Sequence, residues 1–257
     1  MILWTWEHFI TMVPTAVVMI ILSLILRKVL IHKRREARMI PLQVIAVILV
    51  ALEIGKQIVS ISRGYDLYHL LFHFCSIIVF VVPAMAFYRG KHQQAVSAIA
   101  SAWITAVFLL TSIYPVLIYS ADNIRNFFHS YLDFHTVAFH NLVIFAFFLL
   151  IALDLYTPLA KTETRKVLLF TVVFCVISAV MAQLLETNFN NFYSCNIPPL
   201  ENLRISMQGI LGYWITQILY IFIVTVLDIL FVQMSYWLIR GVSRLVQRKN
   251  ANCTANP

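Results

Sequence analysis

Seven long apolar stretches separated by short polar connections make up most of this chain, at residues 9–31, 41–61, 67–88, 94–119, 136–156, 166–186 and 208–238. The runs are continuous. They lack the alternation of lipid-facing and lumen-facing positions that marks a membrane β-barrel. Each is long enough to cross a hydrocarbon core of ~30 Å, which takes ~20 residues as a helix. Inside lipid every peptide group needs an internal partner, and a helix supplies one within a single segment. The pattern therefore predicts an all-α membrane protein. It is a seven-transmembrane helix bundle forming one domain over residues 1–257, with a basic tail over 239–257 that frays. Pro41 marks the start of the second span, and Pro83 and Pro115 are expected to kink or end the third and fourth. No internal repeat and no interrupted span is visible, which argues against a transporter built from repeats.

Charge adds an orientation. Of the 19 Lys and Arg residues, 15 fall in alternate connections. Arg27, Lys28, Lys33, Arg34, Arg35 and Arg38 follow the first span, and Arg89 and Lys91 the third. Lys161, Arg165 and Lys166 follow the fifth, and Arg240, Arg244, Arg248 and Lys249 the seventh. The other connections hold only Arg63, Arg125 and Arg204, and Lys56 lies inside a span. Short basic loops stay in the cytoplasm. The expectation is a multi-pass protein of the cell membrane, with its N-terminus outside and its C-terminus cytoplasmic. The net charge of +8 then belongs to the cytoplasmic loops, where it meets anionic lipid, and is not a nucleic-acid signal. The first run is preceded by Trp4, Trp6 and Glu7 and followed by a basic stop, so it reads as a retained span. Cys75 and Cys175 fall in spans, Cys195 outside and Cys253 in the tail. They form no disulfide framework, unless Cys75 is shallow enough to meet Cys195.

Ionisable groups inside spans are costly and usually face the bundle interior. Glu53 and Lys56 are three residues apart, a spacing at which they pair along one helix face; such a pair reads as structural. In the third span His69 and His73 are four apart and stack on one face of the predicted helix, with Cys75 and Ser76 just behind. The fifth span brings His135 and then His140-Asn141, with His140 at nearly the depth of His73. The sixth leaves through Glu186 towards a long outer connection, ~187–207, that holds Asn188, Asn190 and Asn191. Its Asn cluster and Pro198-Pro199 suit a loop folded back over the bundle mouth, although an ordinary exposed loop reads equally well. Asp154 and Asp228 are expected to lie apart from this group.

Three of these segments together resemble a family. The run Phe72-His73-Phe74-Cys75-Ser76, the run Phe139-His140-Asn141, and the loop from Glu186 through Asn190-Asn191 and Cys195 to Pro198 resemble the YwaF-type integral membrane proteins, over roughly residues 40–240. Vertebrate relatives include a transmembrane acyltransferase that moves polyunsaturated acyl chains onto ether lysophospholipids. The resemblance implies that His73, His140 and the Asn190-Asn191 loop occupy motif positions. Where that acyltransferase has its acyl-carrying cysteine, this chain has Phe72. Cys75 lies one helical turn further on, ~4–5 Å deeper along a helix.

Three functions fit the outer-half group. The first is a phospholipid acyltransferase or transacylase. Cys75 would be its nucleophile and His73 or His140 the base, with His69, Asn141, Glu186, Asn188, Asn190 and Asn191 binding substrate. It needs no cofactor. The second is a zinc-dependent lipid hydrolase that uses the spacing of His69 and His73, with His140 or Glu186 as further ligands. The third is a non-enzymatic lipid or small-molecule binding or transport protein. All three take membrane phospholipid or a comparable small molecule as partner.

Overall fold

The structure, a computed structural model, describes residues 4–158 and 162–255, and the side chains of residues 4–158 and 163–247. Lys161 and the side chains of Arg248, Lys249 and Cys253 lie outside the described residues. Ten helices and no strands are found among those residues: α1 (Trp6–Leu30), α2 (Arg35–Ser62), α3 (Ile78–Phe87), α4 (Gln93–Ile113), α5 (Pro115–Ile118), α6 (Ala121–Arg125), α7 (Tyr131–Ala152), α8 (Thr162–Leu184), α9 (Pro198–Leu211) and α10 (Tyr213–Ala255).

Six of them (α1, α2, α4, α7, α8 and α10) are long and apolar enough to cross a membrane. The seventh predicted span is the exception. Residues 67–88 form two 3₁₀ turns, Leu67–His69 and Phe74–Ile77, followed by the short helix α3. Between the 3₁₀ turns the backbone is extended at Leu70 and His73, with ψ of 152° and 151°, while Leu71 and Phe72 form a turn. Non-helical backbone at membrane depth is tolerated where protein covers it or where it lines a cavity. Here side chains take over the lost peptide hydrogen bonds: Gln57 Nε2 donates to the His69 carbonyl at 2.9 Å, and His73 Nε2 meets the Tyr68 carbonyl at 2.7 Å. Neither proline nor glycine marks the break.

The other prolines act in different ways. The helix α2 begins at Arg35, so Pro41 lies inside it and not at its start. Pro83 lies inside α3. Pro115 follows the end of α4 and opens α5. The last predicted span divides at Gly212, whose φ of +79° separates α9 from α10. The backbone of α10 stays helical to Ala255, through the segment expected to fray.

Helix α4 lies at the centre and touches α3, α7, α8 and α10. Its buried Ala95, Ala98, Ala100, Ala102 and Ala106 let neighbouring backbones approach closely, the usual basis of helix association in lipid. Trp103 is fully buried, with the rings of Phe74 and Phe174 at 4.6 and 5.0 Å. By contrast, α1 buries only His8, Met12 and Ser23 among its described residues, and its exposed Ile, Leu and Val side chains suit acyl chains. Two ends can be told apart by their polar contacts. At one, Arg27 and Arg38 donate to the carbonyls of Ala152 and Leu153, and Gln247 donates to Asp154. At the other, Glu7 pairs with Arg125 and His8 bonds to the Tyr119 carbonyl. The cavity described next opens among residues of this second end.

Candidate functional site: a polar cavity between the broken segment and the asparagine loop

A cavity of about 560 Å³ is lined by the 3₁₀ turns, α2, α7, α10 and the loop after α8. Cys75, His73 and His140 all line it, as do His69, Asn188, Asn190 and Asn191. Two expected residues do not. Asn141 donates its side-chain amide to the Val137 carbonyl of its own helix at 2.8 Å. Glu186 is exposed, because α8 ends at Leu184 and the chain turns away through a left-handed φ of +47° at Glu186.

The histidines are held in distinct ways. His69 Nδ1 lies 2.6 Å from Ser60 Oγ. His73 is fixed through Nε2 on the Tyr68 carbonyl, and its ring packs on Phe189 at 5.3 Å. His140 Nδ1 meets the Thr136 carbonyl at 2.7 Å. A carbonyl only accepts, so Nδ1 carries the proton and Nε2 keeps its lone pair. That Nε2 is buried and has no partner among the described residues. His69 and His73 sit on separate, non-helical pieces, so the expected i, i+4 stacking is lost. Among the described residues no group of three or more His, Cys, Asp and Glu side chains is placed to hold a metal ion. The zinc reading therefore has no ligand set on which to stand. Cys75 Sγ also has no hydrogen-bond partner among the described residues, and Phe72, in the turn that precedes it, packs against Phe189 at 5.4 Å.

Two walls carry charge. Glu53 and Lys56 pair as their spacing predicts, at 2.7 Å, but the pair is not self-contained. Glu53 also accepts from Gln57 Nε2 at 2.7 Å and from His135 Nε2 at 3.1 Å, and Glu53, Lys56 and His135 all line the cavity. The sequence signal was Lys56 itself, a cation inside a span. Asp228, expected to lie apart, lines the same cavity. Its Oδ2 accepts from Asn190 Nδ2 at 2.6 Å and from Cys175 Sγ at 3.8 Å. Its place was hidden because the loop dips into the bundle to meet it.

The loop is a folded cap, and its asparagines have local reasons to be there. Asn190 and Asn191 adopt left-handed φ of +50° and +59°, a region that Asn tolerates better than most residues. Phe189 and Phe192 are fully buried beneath it. Gln183 and Gln217 both donate to the Phe192 carbonyl at 3.0 Å, and Tyr220 Oη donates to the Asn191 carbonyl at 2.6 Å. At the far end Glu201 accepts from the Cys195 amide and from Arg204, and Arg204 reaches Gln217. The Arg204 hydrogen bonds hold Glu201 below the usual carboxylate range, so this anchor persists at neutral pH and is lost as pH falls through that lowered value. Asn191 alone of Asn188, Asn190 and Asn191 has no side-chain hydrogen bond among the described residues. Replacing Asn190 by alanine should cost about 1–3 kcal/mol, because Asp228 loses its amide donor and alanine is poorly suited to a left-handed φ. Asn190→Gly should recover only the backbone part. Thermal unfolding in detergent checks both, and a stability equal to the parent in Asn190→Ala would remove the cap's polar anchor from this account.

A family model described as the TMEM164 family matches residues 3–237, which includes every residue lining the cavity. No curated protein and no solved structure matches the chain.

Proposed function

This chain belongs to the TMEM164 family, and from that membership and the cavity we propose that it is a membrane phospholipid acyltransferase or transacylase in which Cys75 carries the acyl group and His140 moves the proton. The motif resemblance implies the reaction class. The observation that carries the reading is that Cys75 and His140 line one cavity, and that His140 Nε2 has no hydrogen-bond partner among the described residues. They come from elements far apart in the chain.

The chemistry runs in two halves. The Cys75 thiol gives its proton to His140 Nε2, and its sulfur attacks the ester carbonyl of a donor phospholipid. The ester C–O bond breaks, a thioester forms, and the departing glycerol oxygen takes the proton back from His140. An acceptor lysophospholipid hydroxyl then gives its proton to His140 and attacks the thioester. The C–S bond breaks and the thiolate is reprotonated. Asn191, whose amide is uncommitted among the described residues, would donate to the developing oxyanion, a role worth ~2.7–4 kcal/mol per donor in studied enzymes. Asn190 and Asn188 are held by Asp228 and Asn196, so their part is to shape the cap. In the same proposal the chain is a single transmembrane domain of the cell membrane, with the asparagine cap on the outer side.

The decisive experiment incubates the purified full chain with a phospholipid labelled in its acyl chain, then measures label on protein and on added ether lysophospholipid. The reading expects hydroxylamine-sensitive label on Cys75 and transfer to the acceptor, both lost in Cys75→Ala. Transfer at the parent rate in Cys75→Ala would remove the nucleophile. A second reading, non-enzymatic lipid binding, draws on the absence, among the described residues, of any hydrogen bond between Cys75 Sγ and an imidazole. It expects bound phospholipid with neither label nor transfer.

A further inference from the structure

We propose that Lys56 and His135, held by Glu53, form a phosphate-binding subsite in this cavity. It takes the phosphodiester of a single-chain phospholipid and so presents the glycerol hydroxyl to His140. The role of the hydroxyl rests on the acyl-transfer reading; the capture of the phosphate rests on the cavity's own groups.

The Lys56 side chain is 12% exposed. An ammonium has three N–H donors, and Glu53 is the sole partner of this one among the described residues. A membrane-buried cation with unused donors is costly unless it meets water or an anionic ligand, and Lys56 lines the cavity. His135 is 6% exposed; its Nε2 is given to Glu53, and its Nδ1 is buried without a partner among the described residues. The carboxylate oxygens of Glu53 are turned to protein donors: Lys56 and Gln57 on Oε1, and His135 on Oε2. Glu53 therefore orients both groups, and its charge is partly spent on doing so.

The charges balance when the anion arrives. His135 takes up one proton at Nδ1 together with the anion and donates a hydrogen bond there to a phosphate oxygen, and Lys56 donates to another. Ammonium, imidazolium, carboxylate and phosphodiester then sum to zero. His135 and His140 are five residues apart on α7, about 7.5 Å along the axis and ~140° round it, and both line the cavity. The glycerol arm between a phosphodiester and the sn-2 hydroxyl is to bridge them across that cavity. Each charge-assisted hydrogen bond is among the stronger kinds, so discrimination against a lipid without phosphate should be large.

The test measures binding by the full chain in detergent micelles, using a lysophosphatidylcholine and a monoacylglycerol with the same acyl chain. The parent should prefer the lysophospholipid by about tenfold or more. In the paired variant Glu53→Gln/Lys56→Met the preference should fall below about twofold, with monoacylglycerol affinity retained. Inorganic phosphate that erases the parent's preference supports the same subsite, because it offers the same oxygens without the lipid. Equal affinity of the parent for the two lipids overturns the proposal, and so does an undiminished preference in the paired variant. Should the paired variant not fold, His135→Gln, which still donates to Glu53, gives the second reading: its preference should drop at least about threefold, and an unchanged one overturns the proposal. A protein that shows the preference but transfers no acyl group refutes the catalytic reading and leaves the subsite intact. Transfer without preference does the reverse.

Discussion

Replacing His140 by glutamine should lower acyl transfer by ~10²–10⁴-fold, the usual worth of a general acid–base group. The expectation comes from a tautomer. The Thr136 carbonyl at 2.7 Å obliges His140 Nδ1 to hold the proton, which leaves Nε2 as a base. That atom is buried with no partner among the described residues. An unsatisfied buried acceptor costs about 1–3 kcal/mol, so a purely structural histidine would be expected to have found a donor there. The two roles part company on stability. If the ring only holds helices together, removing it lowers activity and thermal stability in parallel. If Nε2 waits for a substrate proton, His140→Leu should lose activity while its Tm stays at or above that of the parent, since the unpaired acceptor is gone. His140→Gln keeps a donor for the Thr136 carbonyl and removes the base. Activity within about threefold of the parent in both variants would sink the assignment.

The second large effect is on stability. Lys56→Met should destabilise the protein by about 3–5 kcal/mol, because it leaves the Glu53 carboxylate buried without its cation. Glu53 is 4% exposed and keeps only Gln57 and His135 as donors. Adding Glu53→Gln should recover much of the loss, since a neutral amide needs no counter-charge and a well-packed neutral pair is often no worse than a buried ion pair. A double-mutant cycle on unfolding in mixed micelles gives the coupling directly. Single and double losses that simply add would show that the two side chains are not coupled. The recovery also makes the paired variant a usable probe of phosphate binding, because it separates loss of charge from loss of fold.

Much of the cavity lining was legible in the chain. His73, Cys75, His140 and His69 are legible from their place in apolar runs and the asparagines from the long connection after the sixth run, and all of them line one cavity. They were legible because polar groups in lipid must be clustered, so an approximate depth along each run was enough to bring them together. Glu186 and Asn141 failed for local reasons, a left-handed turn and an i−4 bond to the helix's own carbonyl, neither of which composition reveals. The chemistry of Glu53 and Lys56 was half visible. Their spacing announced the pair, but the third member, His135, comes from α7, 82 residues away from Glu53. Asp228 was misplaced because its depth was counted along a straight helix bundle, whereas the loop carrying Asn190 descends to reach it.

The broken third segment shows where the boundary falls. Continuous apolar runs determined by themselves that this chain is helical and lives in a membrane, because no other backbone satisfies its peptide groups there. The charge pattern likewise sorted its connections into two sets, since moving Lys and Arg across a bilayer is unfavourable. The residues 70–73 carry no glycine or proline, and nothing local forbids a helix. Only the tertiary structure decided otherwise. Gln57 from α2 takes the orphaned His69 carbonyl, Phe72 and His73 pack on Phe189 of the loop, and the opened backbone becomes the wall of a cavity. A helix yields where distant side chains offer its peptide groups equally good partners, and those partners are set by packing between elements, which no single stretch of sequence contains.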